Sequence, residues 1–130
     1  MKNFGQAVVA CLLAAAASAQ GGDFDGSKRL ICAPIEANDC SAGEACERAT
    51  PQEVGAPAFL RIDFEKKAVV GPQRSSAIQV MEKTEAQLLL MGTEMGLGWT
   101  IALDQSDGSM AATLTNREGA FVFFGTCTTP

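Results

Sequence analysis

The chain has 130 residues, with 10 basic and 15 acidic side chains, a net charge of −5 and no histidine. An acidic chain without a basic cluster argues against nucleic acid and against an anionic membrane surface as partners. The lack of histidine removes the ordinary Ser–His and Cys–His nucleophile arrangements.

The first element in chain order reads as an export signal. Met1-Lys2-Asn3 makes a short basic start, and an apolar run follows from Phe4 to Ala17. Ala17-Ser18-Ala19 then gives the small-x-small pattern that a signal peptidase cuts after. The run is too short for a membrane span, which takes about 20 apolar residues. Val8-Val9-Ala10-Cys11 loosely matches a lipobox, but the greasy run continues past Cys11, which favours cleavage over lipidation. Residues 1–19 are therefore expected to be a cleaved signal peptide. The mature protein is expected to be periplasmic or secreted, with no membrane insertion. What remains suits a single domain.

Cleavage also removes one of the five cysteines and leaves Cys32, Cys40, Cys46 and Cys127. An even number in a small exported domain reads as two disulfides. Three pairings are possible. A Cys40–Cys46 bond closes only a local loop. A Cys32–Cys127 bond ties the first strand to the last and removes on the order of 4 kcal/mol or more of unfolded-state entropy. That pairing is favoured, and spacing alone leaves the others open. There is no Cys-x-x-Cys motif, so neither a metal nor another cofactor is expected.

Residues 20–27 are rich in Gly and Asp and read as a flexible lead-in. Residues 28–32 suit a first short strand. Residues 33–58 hold Pro34, Pro51 and Pro57, lack alternation, and offer at most a helical turn over 42–48. They read as a long loop pinned by disulfide bonding. From Phe59 the pattern has period two. Leu60, Ile62 and Phe64 share one face, and Arg61 and Asp63 the other. Further strands are expected over 68–70, 77–82 and 85–91. A glycine-rich connection over 92–98 separates these from a strand carrying Trp99, Ile101 and Leu103 on one face. Asp107-Gly108 signals a hairpin into a strand over 110–115, and residues 120–127 form a last, strongly apolar strand.

The expected fold is all-β: a small antiparallel meander of seven to eight strands closed into a barrel, spanning residues 28–130, with a disulfide-pinned N-terminal loop. Closure would leave no edge strand exposed. An outer-membrane barrel fits poorly, because the strands are short, there is no tyrosine and the chain ends in Thr128-Thr129-Pro130.

Four stretches carry a resemblance: Cys32-Ala33-Pro34-Ile35-Glu36, Pro57-Ala58-Phe59-Leu60-Arg61-Ile62-Asp63-Phe64, Gly98-Trp99-Thr100 and Phe124-Gly125-Thr126-Cys127. Through them the chain resembles a group of short exported bacterial proteins of unknown function. The resemblance implies export and a single domain, and it implies no activity or binding residue. By architecture alone the chain is similar to lipocalin-type barrels and periplasmic lysozyme inhibitors, without a motif of either. Likeness of fold does not carry function.

Few motifs point to chemistry. Asp63, Glu65, Glu82, Glu85, Glu94 and Asp104 are candidates by type for a glycosidase-like carboxylate pair, though each suits a turn or a solvent-facing position equally well. Gly92, Gly96 and Gly98 lie between strands and precede no helix, which favours a turn over a phosphate cradle. Asp104-Gln105-Ser106-Asp107-Gly108 lacks the later glutamate of a calcium loop. Trp99, Phe121, Phe123 and Phe124 are the candidate contacts for a ligand or partner, set against plain core packing. The leading expectation is a monomeric, non-catalytic binding module of the cell envelope. It would take a small apolar ligand or a partner protein, for instance as inhibitor of a secreted hydrolase. The loop over 33–58 and the connection over 92–98 are its expected binding surfaces. The alternatives are a carboxylate-dependent hydrolase and a structural envelope protein with no ligand.

Overall fold

In the computed structural model, which describes residues 22–130, the alternating segments become antiparallel strands. They are β1 (Leu30–Ser41), β2 (Glu47–Ala49), β3 (Leu60–Asp63), β4 (Ala68–Val70), β5 (Ser75–Ala77), β6 (Val80–Lys83), β7 (Gln87–Glu94), β8 (Leu97–Asp104), β9 (Ser109–Thr115) and β10 (Gly119–Thr128). Nine strands form one hydrogen-bonded path, β5-β4-β3-β1-β10-β9-β8-β7-β6, and β2 pairs with β1 off that path. Among the described residues there is no helix. The expected signal peptide, residues 1–19, lies outside the described residues.

The all-β, antiparallel expectation agrees with this fold, but the closed barrel does not. The sheet curls into a half-barrel whose two edges are β5 and β6. These strands are consecutive in sequence, and they pair with β4 and β7 instead of with each other. The reason lies in the step between them. Ile78 N–H donates to the Lys67 carbonyl (2.8 Å), and Gln79 N–H donates to the Met91 carbonyl (2.9 Å). One continuous segment serves first one edge and then the other, so its halves cannot form a ladder together.

The long loop over 33–58 is also corrected. β1 runs on for 12 residues and stays paired with β10 from Ile31↔Thr128 to Ser41↔Gly119. Pro34 has no N–H to give, and the register shifts between Pro34 and Glu36. That bulge turns Ile35 outward, where it is 61% exposed. Ala37, Asn38 and Asp39 then pair with β2. Outside the strands there remain the turn over 42–46, which leads into β2, and residues 50–59, an irregular strap. Its turn is held by Glu53, whose carboxylate accepts the Thr50 amide (2.7 Å) and hydroxyl (3.0 Å). These two bonds hold the Glu53 carboxyl below the usual glutamate range.

The connection expected over 92–98 shrinks to a two-residue hairpin turn. Gly92 lies inside β7, opposite Trp99. The turn itself is Met95-Gly96, with φ of 49° and 80°. Positive φ at both positions matches the twist of a tight hairpin.

Two disulfides brace the sheet. Cys32–Cys127 joins the facing strands β1 and β10 across 95 residues, and Cys40–Cys46 closes a span of 6 beside β2. Of the fully buried side chains, Leu30, Cys32, Ile62, Leu88 and Leu103 gather at one end of the half-barrel, where β1 begins and β10 finishes, while Leu90 and Ala37 lie further along β7 and β1. The lead-in residues pack across that end. Phe24 lies against Gly108 and is partly buried on the core. The Lys83 ammonium donates to the Asp25 carbonyl (3.0 Å), and Cys127 N–H donates to the Gly108 carbonyl (2.8 Å). This end is sealed.

Candidate functional site: an apolar cleft at the open end

At the opposite end the same inward alternation continues, but no lead-in covers it. Trp99, Ile101, Ala112, Leu114, Phe121 and Phe123 come from β8, β9 and β10, and together they form the floor of a cleft of about 580 Å³. Leu60 and Val69 add a wall from β3 and β4, and Val54, Ala56 and Pro57 of the strap overhang it. Pro34, beside the β1 bulge, lines it as well. A cavity of a few hundred Å³ with mostly apolar walls is the ordinary form of a small-molecule site.

Trp99 sets the geometry of one side. Its ring lies over Gly92, where an added methyl would come within 2.6 Å of the indole and of the Ala77 carbonyl. Only a missing side chain lets the ring lie flat there. The indole N–H donates to the Ser76 hydroxyl (2.8 Å), which donates onward to the Thr93 carbonyl (3.3 Å). Trp99 thus reaches from β8 to β5 and ties one edge of the half-barrel to the sheet beside the other. Among the described residues no buried side-chain polar atom lacks a hydrogen-bond partner. On the floor of the cleft the side chains are hydrocarbon or aromatic, and the one polar atom among them, the Trp99 N–H, is already bonded to Ser76.

The mouth is different. Gln73 and Arg74, from the β4–β5 turn, line it on one side, and Glu94, the last residue of β7, lines it on another. Arg74 is in no ion pair among the described residues, whereas Arg48 meets Glu36 (2.7 Å) and Arg29 meets Asp63 (3.4 Å).

Of the four aromatic candidates, Trp99, Phe121 and Phe123 line this cleft. The rings of Phe121 and Phe123 lie 6.3 Å apart. Phe124 points the other way, is 46% exposed, and borders a second, smaller depression of about 320 Å³ on the convex face with Ala102 and Ala111. All four candidate cysteines are in disulfides.

The acidic candidates are scattered, and Glu94 alone of the six lines the cleft. Asp63 sits at the sealed end, where it accepts the Lys66 amide (3.0 Å). Asp104 caps the β8–β9 turn by accepting the amide (2.7 Å) and hydroxyl (2.6 Å) of Ser106, which hold its carboxyl below the usual aspartate range. Asp107 likewise accepts the Ser109 amide (2.8 Å). Among the described residues no group of three or more His, Cys, Asp or Glu is placed to hold a metal ion.

Sequence reasoning did not single out Arg74 or Ser76, and it included the strap only as part of the whole loop over 33–58 expected to be a binding surface. Ser76 sits in a segment with no strong pattern, and a strap of small apolar residues looks like any loop until it is seen over a cavity.

Comparison of the chain with protein-family models, with curated proteins and with solved structures gives no match.

Proposed function

We propose that the protein is an exported, non-catalytic binding module of the cell envelope that holds a small apolar ligand in the cleft of its half-barrel. The observation carrying this reading is the cleft itself: about 580 Å³, walled by aromatic and aliphatic side chains, at the end of the sheet away from the lead-in and beneath the overhanging strap. The two disulfides fit an oxidising compartment, in keeping with export. Burying the apolar surface of a ligand against Trp99, Phe121 and Leu114 supplies about 25 cal/mol per Å² removed from water, before the costs of association.

The test is saturable uptake of a neutral apolar fluorophore, N-phenyl-1-naphthylamine, by the mature protein. Expected are 1:1 binding and energy transfer from Trp99, the one tryptophan in the chain. Native mass spectrometry of protein taken from its exported compartment is expected to show a small-molecule adduct. No saturable uptake, together with no adduct, would sink the proposal.

A further inference from the structure

The floor of the cleft offers hydrocarbon and aromatic surface, with the Trp99 N–H already bonded to Ser76, and the charged groups that line it stand at the mouth. Arg74 is the one cation lining the cleft, and it enters no ion pair among the described residues. A guanidinium at the rim of an apolar pocket suits an apolar chain ending in an anion that accepts two parallel N–H bonds, a carboxylate or a phosphate, and Glu94 beside it favours the singly charged carboxylate. We infer that the occupant is a single-chain amphiphile with a carboxylate head, its chain lying along Trp99, Ile101 and Leu114 and its head at Arg74. This deepens the reading of the cleft as an apolar site and rests on it.

Glu94 supports the assignment of polarity. It lines the same mouth from the end of β7. Ser76, two residues from Arg74, bonds to Thr93, the residue before Glu94, so the two charges flank one opening. A head bearing two negative charges would meet Glu94 as well as Arg74, and a singly charged head can take Arg74 alone. The chain as a whole is acidic, with a net charge of −5, so long-range attraction does not draw anions in. Preference for the carboxylate must therefore be local to Arg74.

The experiment titrates Trp99 fluorescence of the mature, oxidised protein with laurate, dodecanol and dodecylamine, each below its aggregation limit. The three share a chain length and differ in head charge. Laurate is expected to bind about fivefold more tightly than dodecanol, the gain of a charge-assisted bond at a solvent-exposed site. That advantage should shrink with added salt. Arg74→Gln should bring the laurate-to-dodecanol affinity ratio down from about five to about one by weakening laurate more than dodecanol, and Arg74→Lys should restore part of that ratio. The salt dependence of wild-type binding gives an independent readout should the Gln variant fold poorly. Equal affinity for laurate and dodecanol, or tighter binding of dodecylamine, overturns the carboxylate assignment and leaves the apolar site standing. Absence of binding by all three overturns the apolar site and this inference with it.

Discussion

The two ends of the half-barrel are built from the same strands and the same alternation, yet one is solid and the other hollow. At the sealed end, Leu30, Ile62, Leu88 and Leu103 are fully buried, and Phe24 of the lead-in covers them. At the open end, Leu114 and Phe121 occupy equivalent inward positions but are only partly buried, and the strap overhangs them without filling the space. The difference teaches that inward-facing apolar residues do not by themselves make a core. A sheet curled this far encloses more volume than its own side chains fill, and whatever packs across each end decides which part becomes stabilising core and which becomes a site.

The largest effect should come from the disulfides, one at each end. Replacing Cys32 and Cys127 by Ala frees a 95-residue span and should cost about 4.5 kcal/mol, against about 2 kcal/mol for Cys40 and Cys46 with their span of 6. Urea unfolding midpoints check this, and equal shifts would break the contrast between the ends. Next, Leu103→Ala should cost roughly 3 kcal/mol by leaving a buried cavity. Phe121→Ala removes a larger side chain from the already hollow end and should cost only about 1–2 kcal/mol, because its ring is already partly unpacked. Similar losses in thermal unfolding would mean that the open end is filled in solution.

Glycine substitutions sharpen the same contrast. Gly96, at φ 80° in the open-end hairpin, has nothing within 4 Å of an added methyl, so Gly96→Ala should cost about 1 kcal/mol of backbone strain alone. Gly108, at φ 78°, has the Phe24 ring at 2.6 Å and the Cys127 carbonyl at 2.7 Å, so Gly108→Ala adds overlap and should cost about 3 kcal/mol. Comparable losses for the two variants would show that Phe24 does not press on Gly108.

The smallest effect is set by pH, and in the strap it acts through Glu53. The Glu53 carboxyl is held low by its bonds to Thr50. A group whose value is depressed in the fold contributes above its unfolded value, and that contribution is lost as pH falls through the folded one. Acidification below the ordinary glutamate range should therefore loosen the strap before the sheet. Glu53→Gln should bring the same loosening to neutral pH. Hydrogen exchange at the Thr50 amide reads both, and unchanged protection on acidification would refute the assignment.

Much of the sheet was legible from the pattern of residues. Ala68–Val70 was found as it stands, and the strands around Ile62, Ile101, Ala112 and Phe123 were recognised with ends shifted by a few positions. Alternation is enough where one face meets the core and the other meets water. It failed over the second half of β1, where Pro34 breaks the ladder locally and a bulge restores it with pairing from β10, a partner distant in sequence, from Glu36↔Phe124 to Ser41↔Gly119. It also failed over 77–82, read as one strand, where the fold ends β5 at Ala77 and starts β6 at Val80 on the other edge. The cleft was half legible. Trp99, Phe121 and Phe123 were picked out because large aromatics on an inward face either pack or line something. The strap was included only as part of the broad loop over 33–58, and Arg74 was missed, because its relation to the cleft exists only once β4 and β5 have folded back beside β7.

The pairing Ile31↔Thr128 has a practical consequence for the way the molecule is presented. The N-terminal flank of β1 and the C-terminal flank of β10 leave from the same base, opposite the mouth. A fusion partner, an affinity tag or a bead linked through either flank stands the half-barrel upright, like a cup on its foot. Immobilised this way, the protein keeps its cleft facing the solution, so surface-based ligand capture can be run without blocking the site it is meant to probe.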